Sequence, residues 1–170
     1  NYNLSENENI SNDFSLKIQR TNNDTYFRNH NINTSLVNSE NTDLENEVRY
    51  SFAKDNNYFD ITGSVYENLR DSTNSRYEYI LPNILVGKTL FSERYGTINL
   101  KSNALYTNYD TNKYKTFLTN DIIWKPTKQI SKNGFVNSIE SMIRNTNYKT
   151  KKTNEYKDDR SINEIHGVLT

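Results

Sequence analysis

Strict alternation of apolar and polar residues is the feature that most constrains the fold of this 170-residue chain. In residues 44–52, Leu44, Val48, Tyr50 and Phe52 share one parity, and the polar residues Glu45, Glu47, Arg49 and Ser51 occupy the other. Because successive side chains of a β-strand point to opposite faces, such a stretch forms a ribbon with one apolar and one polar face. The same period of two recurs in the ranges 14–19, 59–65 and 98–106. The pattern predicts an all-β protein.

Clusters of Asn, Asp and Ser separate these stretches and are typical of turns. Strands of about 9–14 residues joined by such turns predict an antiparallel up-and-down meander. We count about nine or ten strands and, since composition does not shift along the chain, one domain over residues 1–170. In the range 135–143, Phe135, Ile139 and Ile143 have helical spacing. The Asn and Ser residues around them disfavour a helix, and we predict a strand there as well.

The composition excludes several classes of protein. Only 33% of residues are hydrophobic and the mean hydropathy is −0.96, whereas an ordinary soluble domain is nearly half apolar. The 12% aromatic content is too high for a disordered chain. A net charge of zero argues against a nucleic-acid partner, which a basic surplus would attract. The absence of cysteine excludes disulfide scaffolds and thiolate sites.

Long one-sided strands in so polar a chain favour a transmembrane β-barrel, because lipid covers the apolar face and water fills the lumen. The alternative is a soluble β-sandwich that buries its apolar stripes between two sheets. The predicted lipid-facing residues are Phe14, Leu16, Ile18, Leu44, Val48, Tyr50, Phe52, Ile61, Val65, Ile98, Leu100 and Ala104. The predicted lumen-facing residues are Lys17, Glu45, Glu47, Arg49, Asn99, Lys101 and Asn103.

Tyrosine, phenylalanine and tryptophan near the predicted strand ends would form the aromatic girdles of such a barrel. This set comprises Tyr58, Phe59, Tyr77, Tyr79, Phe91, Tyr95, Tyr109, Tyr114, Trp124 and Tyr148.

No set of residues predicts catalysis, a metal site or a cofactor. The two histidines, His30 and His166, have neither metal-ligand spacing nor a nucleophile beside them. Glu45 and Glu47 share a strand face as glycosidase carboxylates do, but Arg49 on the same face favours a solvated ladder of charges. We therefore expect no enzyme activity.

Pro82 interrupts one of the apolar stretches. Because proline has no N–H to donate to a ladder, it marks a strand edge, a strand start or a bulge. The sequence leaves two interpretations open, a bend between two strands or a bulge inside one barrel strand.

The stretch around Pro82 also resembles a known family. The segments are Tyr77–Ile84, Gly96–Leu100, Asn108–Lys113 and Glu164–Leu169. They are similar to the barrel domain of the lipopolysaccharide-assembly outer-membrane protein family LptD, also called the organic solvent tolerance family. The similarity extends from about residue 4 to residue 170.

The resemblance implies a place in the cell outer membrane, within a barrel of about two dozen strands. It implies lipopolysaccharide as cargo, outer-membrane lipid around the barrel, and two kinds of partner, a plug lipoprotein and periplasmic bridge proteins. The chain lacks the family's signal peptide, periplasmic domain and cysteines, so we expect an internal fragment of the barrel wall. The alternatives are another outer-membrane barrel, a porin or an uptake receptor, and a soluble extracellular β-sandwich binding module.

Overall fold

Nine strands form one antiparallel sheet in the computed structural model. The structure describes residues 2–7, 10–34, 40, 42–71, 76–109, 113–153 and 161–169. The strands of the main sheet are β1 (Tyr2–Asn7), β2 (Ile10–Lys17), β3 (Asp43–Lys54), β4 (Asn57–Asn68), β5 (Tyr77–Ser92), β6 (Gly96–Tyr109), β7 (Lys113–Lys125), β10 (Ser141–Lys151) and β11 (Ser161–Leu169). Two strands of two residues each, β8 (Gln129–Ile130) and β9 (Val136–Asn137), form a separate hairpin between β7 and β10.

The order of strands across the sheet follows the order along the chain, and β10 lies beside β7. Every pairing is antiparallel. The predicted all-β antiparallel meander is therefore confirmed. The sheet is open, since the described residues contain no pairing between β1 and β11.

Helix is nearly absent from the described residues. One four-residue helix, α1 (Tyr26–Asn29), lies in the long connection between β2 and β3. No helix among the described residues is long and apolar enough to cross a membrane.

The strand ends define two edges of the sheet. One end of the sheet, which we call the turn edge, contains the strand ends Asn7, Ile10, Lys54, Asn57, Ser92, Gly96, Lys125 and Ser141. The other end, which we call the loop edge, contains the strand ends Lys17, Asp43, Asn68, Tyr77, Tyr109, Lys113, Lys151 and Ser161.

A bulge lies beside Pro82, inside the continuous strand β5. The pairing register shifts between Thr62 and Ser64 on one side of β5, and between Ile80 and Asn83 within β5 on its other side. The missing N–H of proline explains why the ladder is interrupted here. Of the two interpretations of Pro82, the structure has the bulge within a strand.

The strand predicted over residues 135–143 is wrong as one continuous strand, because residues 136–137 belong to β9, residues 141–143 belong to β10, and residues 135 and 138–140 lie in neither. Phe135 and Ile139 lie outside strands and are 71% and 54% exposed, and only Ile143 belongs to β10. The sequence Ser131-Lys132-Asn133-Gly134 interrupts the pattern, because Gly134 takes a positive φ of 82° and its N–H donates to the Ser131 carbonyl. The turn over residues 131–134 joins β8 to β9, and residues 138–140 separate β9 from β10.

The sheet has no covering layer among the described residues. The only buried hydrophobic residues there are Leu44 and Leu69, which are 0% and 7% exposed and lie at the loop edge. Large apolar side chains elsewhere on the described sheet are partly or largely exposed, for example Val48 at 46% and Ile122 at 47%. The fold thus presents two open faces, and these faces are the candidate functional surfaces.

Candidate functional site: the two faces of the sheet

The pairing register assigns each strand residue to a face, because paired residues of adjacent strands share a face and side chains alternate along a strand. We call the side that carries Tyr50 the apolar face and the side that carries Arg49 the polar face. The strand pairs Leu16–Val48 and Tyr50–Ile61 lie on the apolar face.

All predicted lipid-facing residues that lie in strands fall on the apolar face. These are Phe14, Leu16, Leu44, Val48, Tyr50, Phe52, Ile61, Val65, Ile98, Leu100 and Ala104. Ile18 is the exception, since it lies just after the end of β2 and is 69% exposed. All predicted lumen-facing residues fall on the polar face, namely Lys17, Glu45, Glu47, Arg49, Asn99, Lys101 and Asn103. Whether these faces meet lipid and lumen stays a prediction.

Charges on the apolar face are confined to strand ends. Among the described strand residues of β2–β11 they are Lys54, Glu67, Lys88, Lys149 and Lys151, each within four residues of a strand end. The middle of this face carries uncharged residues, many of them apolar and exposed, such as Val48 (46%), Val86 (43%) and Ile122 (47%). A band free of charge, bordered by long cationic side chains, is typical of a surface that meets a hydrocarbon layer.

The polar face carries the other fifteen Asp, Glu, Lys and Arg residues of these described strands, against five on the apolar face, and several of them bind one another. Lys17 donates to the Glu45 carboxylate, which also accepts from the Tyr66 hydroxyl at 3.0 Å. Beside this group, Gln19 and β3 exchange hydrogen bonds, from Gln19 N to Asn46 Oδ1 at 2.8 Å and from Glu45 N to Gln19 Oε1 at 2.7 Å. These bonds continue the β2–β3 pairing beyond the end of β2.

Asp60 is the centre of a second polar group on β3 and β4. Only 6% of this residue is exposed, and its Oδ2 accepts from Arg49 Nε at 2.6 Å and from the Tyr58 hydroxyl at 3.3 Å. Its Oδ1 accepts from the Thr62 hydroxyl at 3.1 Å. Since a buried carboxylate is costly without partners, these three donors explain how a charge is accommodated there.

A third polar group joins β7 to β10. Asp121 accepts two hydrogen bonds from Arg144, one from Nε at 2.7 Å and one from Nη2 at 2.8 Å. Lys101 pairs with Asp121 across β6 and β7 and has no salt bridge in the described part of the chain. His166 follows Arg144 in the same row and lies 3.4 Å from the Glu164 carboxylate.

The separation of the faces weakens toward β11. On the polar face, Phe117 and Tyr148 stack at 5.8 Å between ring centroids. On the apolar face, Asn145 Nδ2 donates to Asn163 Oδ1 at 2.7 Å, and Asn147 Nδ2 donates to Asn145 Oδ1 at the same distance. The strict alternation of β2–β4 is therefore lost in β10 and β11.

The aromatic residues predicted as girdles divide between the faces. Tyr77 and Tyr79 stack at 6.3 Å near the loop edge of the apolar face, where Tyr114 also lies. Trp124 lies near the turn edge of that face, and its Nε1 donates to the Tyr95 carbonyl at 2.8 Å. Phe59 also lies on the apolar face, and Tyr95 lies in the turn between β5 and β6. The remaining four residues of the set lie on the polar face, namely Tyr58, Phe91, Tyr109 and Tyr148.

A clamp at the loop edge was not predicted from the sequence. Arg76 donates to both carboxylate oxygens of Asp24, at 2.7 and 3.1 Å, and to Glu67 Oε1 at 2.7 and 2.9 Å. The Tyr77 hydroxyl donates to the same Glu67 oxygen at 3.0 Å. These bonds hold the long β2–β3 connection to the end of β4, and the Arg76 guanidinium lowers the pKa of Asp24.

His30 follows α1 and packs its ring 4.6 Å from that of Tyr26. Among the described residues no group of three or more His, Asp and Glu side chains is placed to hold a metal ion. Comparison of the chain with family models, curated proteins and solved structures finds no significant match in any of the three.

Proposed function

We propose that this chain is a wall segment of a large outer-membrane β-barrel that inserts lipopolysaccharide into the outer leaflet. In this proposal the apolar face contacts membrane lipid, and the polar face lines the lumen along which the glycolipid's sugar portion moves. The segment acts as structure and carries out no reaction of its own. Lipopolysaccharide, the plug lipoprotein and the periplasmic bridge proteins are its proposed partners.

The observation that carries the proposal is the contrast between the faces. One face is uncovered, exposes large apolar side chains and confines its charges to strand ends. Burying one such side chain is worth about 1.5–3 kcal/mol, so the face requires an apolar cover in its functional state. The other face carries three times as many charged residues in the described strands, several of them paired with one another, as a wetted lumen permits.

Strand length is a second support. A tilted strand needs about 9–11 residues to cross a bilayer. The consecutive strands β3 to β7 have 12, 12, 16, 14 and 13 residues. A soluble sandwich strand is usually about 5–6 residues long.

The cargo rests on the resemblance of Tyr77–Ile84 and the related segments to the lipopolysaccharide-assembly family. The polar face agrees with it, because amides, hydroxyls and paired charges supply both donors and acceptors for sugar hydroxyls. A porin or an uptake receptor would use the same wall with a different solute.

Tryptophan quenching tests the membrane part of the proposal. Trp124 is the single tryptophan, so the background variant Trp124→Phe allows a probe to be placed elsewhere. Leu118 and Thr119 are adjacent residues of β7 on the apolar and the polar face. In vesicles of lipids brominated in mid-chain, we expect Leu118→Trp to be quenched and Thr119→Trp to respond mainly to iodide in the water.

Each outcome separates the alternatives. Because an open sheet with two unpaired edges is not expected to insert alone, the probes are placed in the full barrel that contains this chain. Two probes that are both indifferent to bromine there would overturn the barrel in favour of a soluble sandwich. Equal bromine quenching of the two probes would overturn the assignment of the faces.

Photocrosslinking tests the cargo. With benzoylphenylalanine at Thr119 or at Leu118, in cells of a Gram-negative host, we expect lipopolysaccharide adducts at Thr119 that carry the sugar portion. A bilayer-inserted chain that gives adducts at neither position would favour a porin or an uptake receptor.

A further inference from the structure

A hollow of about 560 Å³ opens beside Gly87 near the turn edge. It is formed by residues Ala53, Asp55, Asn56, Asn57, Tyr58, Leu85, Val86, Gly87, Lys88, Thr89, Asn99, Leu100 and Lys101. Its origin is a row of paired residues on the polar face, Ala53–Tyr58–Gly87–Lys101. Because Ala53 and Gly87 are small, the Tyr58 side chain has no bulky paired neighbour on either adjacent strand.

The β3–β4 turn forms one wall of the hollow. Asp55 adopts a φ of 48° in this turn, and the Asn56 carbonyl accepts a hydrogen bond from Thr89 N at 2.8 Å. This bond fixes the turn to β5, so the wall is part of the sheet framework. The hollow is therefore formed by the backbone before any ligand binds.

The side chains around the hollow combine three kinds of chemistry. Tyr58 supplies an aromatic ring, and its hydroxyl is directed to Asp60, at 3.3 Å. The Thr89 hydroxyl donates to Asn99 Oδ1 at 2.8 Å, which leaves the Asn99 Nδ2 group as a donor. Lys101 supplies a cation.

Lys101 is available to an external anion. Both oxygens of Asp121, the carboxylate on the paired position, accept from Arg144 at 2.7 and 2.8 Å. Lys101 itself is exposed and makes no salt bridge with a described residue, and its ammonium group is attracted to the Asp121 carboxylate without contacting it as an ion pair. An ammonium group of this kind binds phosphate or carboxylate oxygens as a point charge.

We propose that this hollow binds one residue of an anionic sugar, with the ring on Tyr58, hydroxyls on Thr89 and Asn99, and the phosphate or carboxylate on Lys101. The lining also contains Lys88, which the register places on the apolar face, and Asp55 in the turn, so Lys101 is the cation that the lining offers on the polar face. An aromatic ring, an amide and this cation in an open site favour a polar, flat-sided ligand. This inference rests on the proposed function, because the hollow faces the lumen only if the polar face lines the lumen of a barrel.

Ligand-observed saturation-transfer NMR on the full barrel that contains this chain, in phospholipid vesicles, tests the site, with glucose 1-phosphate as probe and glucose as its uncharged counterpart. We expect millimolar binding of glucose 1-phosphate. Gly87→Val should weaken it at least tenfold by filling the hollow. A Cβ there meets only Tyr58 Cβ at 3.7 Å and the Leu100 carbonyl at 3.8 Å, so the variant keeps the fold.

Two further variants control the result. Gly167→Val places the same side chain on the apolar face of β11, where a Cβ has nothing within 4 Å, and should leave binding unchanged. Lys101→Gln should weaken the binding of glucose 1-phosphate tenfold and leave the binding of glucose unchanged. The proposed sugar site is wrong if binding survives both Gly87→Val and Lys101→Gln, or if the vesicle-inserted chain binds no sugar at all. Either result leaves the proposed barrel unaffected. Sugar binding by chain that stays out of vesicles overturns the barrel and retains the site.

Discussion

An arginine at Leu118 tests whether the middle of the apolar face lies in the hydrocarbon of a bilayer. Leu118 is five residues after Lys113 and seven before Lys125, the two ends of β7. A rise of about 3.3 Å per residue and a tilt of about 40° place it about 13 Å and 18 Å in height from those ends. Since the apolar band of a barrel is about 25 Å tall, Leu118 lies close to the midplane.

The expected cost follows from that depth. A lipid-facing Arg near the midplane destabilises a barrel by about 2–4 kcal/mol. With a urea dependence of about 2 kcal/mol per M, the unfolding midpoint of Leu118→Arg should fall by about 1–2 M. The measurement is a urea titration of the full barrel that contains this chain, in phospholipid vesicles, followed by Trp124 emission.

Thr119→Arg is the matched control, because it introduces the same arginine at the next residue of β7, whose side chain lies on the polar face. Its unfolding free energy should change by less than about 0.5 kcal/mol. Leu118→Ala separates the loss of packing from the charge, and its effect should be less than half that of Leu118→Arg. Equal losses for the two Arg variants, or the larger loss at Thr119, would refute the assignment of the faces.

Two further predictions concern the turn edge and the loop edge. Gly96→Ala should lower the free energy of unfolding by about 3 kcal/mol or more, because Gly96 has a φ of 81° and a Cβ there would lie 2.1 Å from the Lys125 carbonyl oxygen. Gly134→Ala should lower it by only about 1 kcal/mol, because Gly134 also has a positive φ but a Cβ there meets nothing within 4 Å. If thermal unfolding shows the same loss of stability for both variants, the predicted steric clash at Gly96 is wrong. The Arg76 hydrogen bond lowers the pKa of Asp24, so the clamp stabilises the fold above the ordinary Asp pKa of about 3.9, and this stability is lost as the pH falls through the lower folded value. The melting temperature of Asp24→Asn should lie below that of the parent at pH 7 and converge with it once the pH falls below the lowered pKa of Asp24. A gap that stays constant with pH would exclude the clamp.

The face of a residue could be predicted wherever the period of two is unbroken. Val48, Arg49 and Tyr50 are on the expected faces because alternation is a property of the strand itself and needs no knowledge of the neighbours. Pro82 likewise interrupts the ladder through its own missing N–H.

The remaining features depend on partners that are distant in sequence. Asp24 and Arg76 are 52 residues apart, and no local pattern connects them. Asn145 lies on the apolar face because Asn163 on β11 satisfies its amide, which a single strand cannot reveal. The hollow beside Gly87 requires four strands in register, so the sequence indicates only a glycine in a strand.

The sequential order of the sheet has a consequence for the kinetics of folding. Each new strand joins the one before it, so most ladders close over short connections and the contact order stays low for a β protein. The 25-residue connection over residues 18–42 is the exception. Closing it costs about 2 kcal/mol more chain entropy than closing a two-residue turn. We therefore expect β3 to β7 to assemble first and β2 to join them late.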